Sequence, residues 1–181
     1  MSFRFSPYQL DGLLLVDGRR FPDERGAFME AFKELDFRGA GIPTLVQDNL
    51  SRSYRGVLRG LHYQKKPAAI GKLIRCIRGR IFDVAVDIRK DSPSFGKWAA
   101  VELSDENNRM LWVPEGFAHG FYTLSDEADV LYKVTGYWSP EHERGLIWND
   151  PQVGVRWPSG PVRLSPKDAE LPPLARADNN F

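Results

Sequence analysis

His62, His119 and His142 are the only imidazoles in the chain, and the first two sit among groups able to move protons or hold anions. His62 lies in Arg59-Gly60-Leu61-His62-Tyr63-Gln64, with Lys72 a short way downstream. A lone histidine at a strand start is more often structural, with its ring nitrogens satisfied. Here, however, Arg59, His62 and Lys72 bring three potential cations close in sequence, although the chain has 25 Lys and Arg against 24 Asp and Glu. Such a local cluster suits an anionic substrate, or one whose carbanion is delocalised as an enolate. Tyr132, in Val130-Leu131-Tyr132-Lys133-Val134, either fills a core or faces a histidine across an interior. In the second case it could act as an acid, since a phenol can protonate a carbanion. Gln47-Asp48-Asn49 could read a polar ligand edge or form a turn, Asp23-Glu24-Arg25-Gly26 reads as a turn, and His142 in its charged loop reads as solvated.

The elements that must carry these groups are strands. Phe82, Val84, Val86 and Ile88 alternate with Ile81, Asp83, Ala85 and Asp87, the two-residue period of a strand with one wetter face. Leu73 to Ile77 alternates as well, and Arg78-Gly79-Arg80 predicts a tight hairpin between the two runs. Four more short aromatic or β-branched runs follow at 98–103, 109–113, 117–124 and 130–137, separated by Gly, Pro, Asn, Asp and Ser clusters. On the last of them, strand parity puts Tyr132, Val134, Gly136 and Trp138 on one face. A helix is expected only around 29–36 in the first half. Beyond Trp157 the chain is rich in proline, which disfavours ladder pairing and predicts a segment that wraps the surface and carries a short helix. The sum is one all-β domain over residues 1–181, an antiparallel sandwich or barrel.

Composition narrows the function classes. The chain has 181 residues, 42% of them hydrophobic and 27% charged, with a net charge of +1. That balance is globular, and it removes the electrostatic case for nucleic acid or an anionic membrane as partner. One cysteine, Cys76, excludes an internal disulfide and a cysteine-based zinc site. The N-terminal residues contain no apolar run of signal-peptide length, so the expected location is the cytoplasm.

Two resemblances sharpen this reading. Pro114-Glu115-Gly116-Phe117-Ala118-His119 resembles the second half of the cupin signature, a jelly-roll barrel motif. Metal-binding cupins carry a His-x-His pair in the first half, whereas this chain reads His62-Tyr63-Gln64; the motif argues for the barrel and against the metal. The whole chain resembles the dTDP-4-dehydrorhamnose 3,5-epimerase family. The anchors are Asp23 to Gly26, Gln47 to Asn49, Arg59 to Gln64, Gly71 to Arg75, Pro114 to Phe121, Trp148-Asn149-Asp150-Pro151 and Leu164 to Asp168. Each is weak alone; all of them in order are specific.

The resemblance implies a cupin-like jelly-roll barrel with short peripheral helices. It also implies a homodimer whose N-terminal segment joins the partner's sheet, and catalysis without metal or cofactor. The implied substrate is dTDP-4-dehydro-6-deoxy-D-glucose, inverted at C3 and C5. By the family pattern His62 is the base and Asp168 its partner carboxylate, Tyr132 is the acid on the opposite face, and Lys72 steadies the enolate oxygen. Arg59 and His119 hold the sugar and diphosphate. Gln47, Asp48, Asn49, Glu143 and Lys167 surround the nucleotide, and Arg25 and Glu30 reach in from the neighbouring subunit. Trp138 stacks on thymine at a position more often Tyr in this family, keeping the π surface and losing the phenol hydroxyl.

Three alternatives separate by cheap observations. A C3-only or C5-only epimerase would exchange one proton in D2O. A metal-dependent cupin would lose activity with chelator. A non-catalytic sugar-nucleotide-binding module would exchange neither proton.

Overall fold

The computed structural model describes residues 2–181. Its strands run β1 (Phe3–Pro7), β2 (Leu14–Gly18), β3 (Phe21–Asp23), β4 (Gly26–Phe28), β5 (Gln47–Tyr54), β6 (Leu58–Gln64) and β7 (Lys72–Arg78). Then follow β8 (Arg80–Asp87), β9 (Trp98–Ser104), β10 (Arg109–Val113), β11 (Phe117–Thr123), β12 (Glu127–Val134) and β13 (Glu143–Gly145). Two short helices, α1 (Glu34–Gly39) and α2 (Pro166–Ala169), and a single 3-10 turn at Leu174–Arg176 lie at the periphery. No helix among the described residues is long and apolar enough to cross a membrane.

Two antiparallel sheets form the body, in the orders β1-β2-β10-β7-β12-β5 and β13-β6-β11-β8-β9, with β3–β4 a separate hairpin. Their facing sides share one core. Ile74, Cys76, Leu111 and Val130 from the first sheet meet Ile81, Ala85, Val101, Leu103 and Phe117 from the second, nearly all of them fully buried. Strands adjacent in sequence fall repeatedly in different sheets, as in a cupin-like jelly roll.

The turn at Gly79 is not the predicted hairpin. β7 pairs with β10 and β12, and β8 pairs with β9 and β11, so the chain crosses from one sheet to the other there. Only Gly79 separates the two strands, too little for a two-residue hairpin loop. It turns the corner at φ +75° with its N–H on the Asp105 carboxylate. A side chain there would collide with the Glu127 carbonyl.

The two faces of β8 also differ from expectation. Val84, Val86 and Ile88 pack outward under the C-terminal segment with Leu61, Leu146 and Leu174. The row read as wetter points inward, so Ile81 and Ala85 join the core and Asp83 enters the barrel interior. The proline-rich tail wraps the second sheet, packing on it through Leu174 and Phe181, and its one β-bridge among the described residues is Val57 to Arg163, in keeping with its composition. The first-half helix spans Glu34–Gly39 rather than 29–36; its Phe37 is the anchor, buried with Phe3, Val16 and Trp112 on the outer face of the first sheet. β12 ends at Val134, three residues short of the predicted strand end.

Candidate active site

The site is built where the two sheets face each other at one end of the barrel. On β6, Leu61 and Tyr63 pack outward, so His62 and Gln64 face in. The antiparallel register sets His119 of β11 directly opposite His62. The two strands are pressed together beside these residues. A Cβ on Gly60 would strike the Gly120 Cα, and one on Gly120 would strike the Arg59 carbonyl.

Each histidine is held by a carboxylate. His62 Nε2 lies 2.6 Å from Asp168 Oδ1, bringing together two residues 106 positions apart. α2 presents Asp168 because Pro166 opens the helix and the Ser165 hydroxyl accepts the Asp168 N–H at 3.1 Å. Burial favours the neutral acid at Asp168. The bond to His62 outweighs that, with help from the Gly60 N–H and Ser165, and the carboxyl sits below its ordinary value. With Nε2 engaged, Nδ1 is the His62 nitrogen left to take a proton. His119 Nε2 bonds Asp83 Oδ1 at 2.9 Å. Asp83 is fully buried, its other oxygen has no partner, and burial raises its pKa against the pull of His119 and Lys72.

The first sheet supplies the facing wall. Ile74 and Cys76 are core residues of β7, so Lys72 on the same parity points inward, where its Nζ donates to the His62 carbonyl at 3.3 Å. Burial lowers the Lys72 ammonium to about 8, and the Glu143 and Asp83 carboxylates keep it from falling further. Tyr132 on β12 is pushed above its ordinary pKa by burial, opposed by Arg59, and so keeps its proton.

A cavity of about 490 Å³ opens between these walls, lined by His62, Lys72, His119, Tyr132 and Glu143 with Arg59, Arg163, Ser51, Ser165 and Lys167 at its cationic and polar side. A second lobe of about 290 Å³ shares His62, Lys72, Tyr132 and Glu143 and adds Gln47, Asn49, Gln64 and Trp138. Glu143 ties the lobes together: one carboxylate oxygen accepts Lys167 Nζ at 2.7 Å and Trp138 Nε1 at 3.1 Å. Burial alone would raise its pKa, and these two donors hold it below the ordinary value. The indole N–H thus adds a hydrogen bond of its own to the carboxylate shared by the two lobes. Arg59 donates to the Ser53 hydroxyl at 2.9 Å and to the Arg52 carbonyl, leaving its charge without a carboxylate partner. A larger groove of about 890 Å³, between β1 and α1, holds none of these groups.

Several sequence-level expectations are redrawn. Gln47-Asp48-Asn49 is strand rather than turn, and parity divides it. Gln47 and Asn49 face the cavity and bond each other at 2.8 Å. Asp48 faces out, where it pairs with Lys133 at 2.6 Å, and it lines neither lobe. Trp138 reaches the smaller lobe from the loop after β12, not by strand parity, and remains 62% exposed. Arg25 sits exposed at the β3–β4 turn on Asp23 of its own chain at 2.6 Å; neither it nor Glu30 lines a lobe. His142 is half-buried rather than solvated, its Nδ1 on the Ser139 hydroxyl at 2.7 Å. Sequence reasoning missed Asp83, Ser51, Ser165 and Arg163. Asp83 left a signal as a carboxylate inside an alternating strand, and Ser165 one as the residue before Pro166 in the Leu164 to Asp168 anchor.

A model described as dTDP-4-dehydrorhamnose 3,5-epimerase matches residues 7–176. The chain is 51% identical over 172 residues to the Shigella flexneri protein of that name, covering 94% of this chain and 95% of that one. It is 52% identical over 169 residues to the Salmonella typhimurium protein of the same name, covering 91% and 92%. Among solved structures, a 3,5-epimerase from Legionella pneumophila in complex with dTDP-4-keto-L-rhamnose superposes with a TM-score of 0.93 at 48% identity. That match covers 96% of this chain and 94% of the other.

Proposed function

The chain belongs to the dTDP-4-dehydrorhamnose 3,5-epimerase family, and from that premise we propose that it inverts C3 and C5 of dTDP-4-dehydro-6-deoxy-D-glucose to give dTDP-4-dehydro-L-rhamnose. It is an isomerase. The observation that carries the mechanism is the placement of a paired base and a protonated phenol on facing sheets: His62 on β6 in one, Tyr132 on β12 in the other. A sugar ring held between them offers one face to each.

Both C3–H and C5–H flank the C4 ketone, so loss of either proton places the electron pair on O4 as an enolate. His62 takes the proton on Nδ1, and the ionised Asp168 stabilises the imidazolium that forms. Lys72, charged and preorganised in the interior, faces the charge developing on O4. Tyr132 returns a proton to the same carbon from the opposite face, which inverts it. The spent pair then exchanges protons with solvent before the second carbon reacts. Arg59, with its unpaired guanidinium, and His119 take the sugar and diphosphate. Lys167, Gln47 and Asn49 take the nucleotide side with Glu143, and Trp138 stacks on the base. Nothing in this sequence of steps calls on a metal or cofactor, and activity is expected to survive chelator.

Residues 1–181 act as one cupin-like epimerase domain, and the working unit is a homodimer in the cytoplasm, where nucleotide sugars are made. The exposed outer face of the first sheet, with Leu50, Tyr54 and Ile77, supports the dimer. So does the β3–β4 hairpin, which exposes Phe28 and Phe21 beside Arg25. β1 lies at the edge of the first sheet with its other side open, a free edge at which a partner's N-terminal segment can join. Mixing Arg25→Ala with His62→Ala chains tests the shared site: a mixed dimer then holds one intact site, and activity returns. Two inactive populations that stay inactive on mixing would remove Arg25 from the partner's site.

The reaction itself is tested by incubating the protein with dTDP-4-dehydro-6-deoxyglucose in D2O and following C3 and C5 by NMR. Deuterium at both carbons with inverted product establishes the 3,5-epimerase. Deuterium at one carbon makes it a single epimerase, and none at either leaves a binding role.

A further inference from the structure

Gln64 occupies the place where a metal-binding cupin would carry its second histidine, and the epimerase reading gives it no task. It shares the inward face of β6 with His62 and is 4% exposed. Its amide is fully used. The NH2 group donates to the Ala68 carbonyl at 2.6 Å and to the Tyr137 carbonyl at 3.2 Å, while Oε1 accepts the Ser139 N–H at 2.7 Å. Two of these three groups flank Trp138 on either side. The Trp138 ring itself is mostly exposed and is tethered only by its bond to Glu143, so packing does little to aim it.

We infer that Gln64 is a positioning residue for nucleotide binding: its buried amide clamps the main chain on both sides of Trp138 and so sets the indole plane relative to the strand that carries His62. A buried amide whose partners are all backbone groups can fix a loop without touching ligand, and losing it frees that loop. The other end of the loop is tied independently, where Gly71 donates to the Thr135 hydroxyl at 2.9 Å and Thr135 N–H donates to the Gly71 carbonyl. The 135–139 segment is therefore held at both ends; His142 ties the Ser139 hydroxyl, and Gln64 is the side chain that bonds the main chain on both sides of the indole. This inference rests on the reading of Trp138 as the platform for the base.

The test is a double-mutant cycle on dTDP affinity, measured by calorimetry with Gln64→Met, Trp138→Ala and the double variant. Trp138→Ala is expected to weaken dTDP binding about 5- to 150-fold. Gln64→Met should weaken it about tenfold and raise KM while kcat changes by less than about threefold. On the Trp138→Ala background the same change should cost less than about twofold, because the clamp then holds nothing that touches ligand. A full loss persisting on that background, or wild-type affinity in Gln64→Met alone, overturns the inference. Wild-type affinity in Trp138→Ala overturns instead the reading it rests on. If Gln64→Met does not fold, Gln64→Glu goes through the same cycle; it keeps the volume and the acceptor for Ser139 but loses both donated bonds.

Discussion

His62 and His119 stand directly opposite each other on adjacent strands, and each gives Nε2 to a carboxylate from a different part of the chain. The two pairs are not equivalent. Asp168, on a short capped helix, is drawn toward its ionised form by His62, the Gly60 N–H and Ser165, against the cost of burial. Asp83, on a central strand with no exposure and one oxygen unpartnered, is pushed by burial toward its neutral form. An ionised partner makes an imidazole a better base, whereas a neutral or shared proton only orients it. The two carboxylate environments thus differ in the direction that the proposed assignment calls for, with His62 as the base and His119 as the binding histidine.

That difference predicts unequal asparagine variants. Asp168→Asn should lower kcat by about 10²- to 10⁴-fold, the range for losing a general base in its working tautomer, with dTDP affinity retained. Asp83→Asn should keep kcat within about an order of magnitude, since asparagine keeps a side-chain oxygen for His119 Nε2 and Asp83 is not the partner of the proposed base. Steady-state kinetics on both variants checks it. Equal losses would mean that the two histidines share the proton abstraction.

Tyr132→Phe separates abstraction from delivery. With His62 and Asp168 intact, solvent deuterium should still enter the substrate on the face His62 serves. Inverted product should fall by about 10²- to 10⁴-fold, the usual range for an acid catalyst. NMR in D2O reads both quantities in one tube. Full activity at both carbons would move the acid role to another group on the first sheet.

Acid stability is predicted away from the site, at Asp87. Burial pushes this carboxyl up, but Arg89, Ser92 and Ser94 together hold it at about 2. Its folded pKa is below the ordinary value near 3.8, so it stabilises the fold above that pH, and the contribution is lost as pH falls toward 2. Asp87→Ala should cost about 1–3 kcal/mol by leaving the partly exposed Arg89 guanidinium and the half-buried Ser92 and Ser94 hydroxyls without their acceptor. It should also flatten the acid limb of stability, with turnover per folded molecule unchanged. Thermal unfolding from pH 2 to 7 measures both.

Strand period made most of the barrel legible, and motif order made most of the site legible, but both are local signals. The corner at Gly79 shows the limit: two alternating runs joined by a glycine look the same whether they pair or part into different sheets. The choice is made by which partners cover each strand, and those come from residues far along the chain. Asp83 was visible only as polarity on one face of β8, and a strand pattern cannot say whether its wetter face meets water or a cavity. Asp48 failed for the reverse reason. Gln47-Asp48-Asn49 looks like one motif in sequence, whereas a strand sends its middle residue to the other side. The His62–Asp168 pair was reachable because both residues lie in motifs; no spacing rule links positions 62 and 168.

Lys72 predicts a pH dependence with opposite signs for activity and stability. Burial lowers its folded pKa from 10.5 to about 8. Below about 8 the ammonium is charged and can steady the enolate, so kcat/KM, which reports the free enzyme, should fall as pH rises past that value. Tyr132, held above its ordinary pKa by burial, keeps its proton through the onset of this fall. For stability, the unfolded chain holds the lysine proton up to about 10.5 while the folded chain releases it near 8. The unfolded state therefore binds more protons between those values, and this group's destabilising effect, complete below pH 8, is relieved as pH rises through the window. Lys72→Met should lose about 10²- to 10³-fold in kcat, as for removal of one oxyanion donor. It should also lose the alkaline limb of the rate profile and unfold at a higher temperature than the parent at pH 7. An alkaline limb that persists in Lys72→Met would place the enolate charge on another cation of the same cavity, among them Arg59.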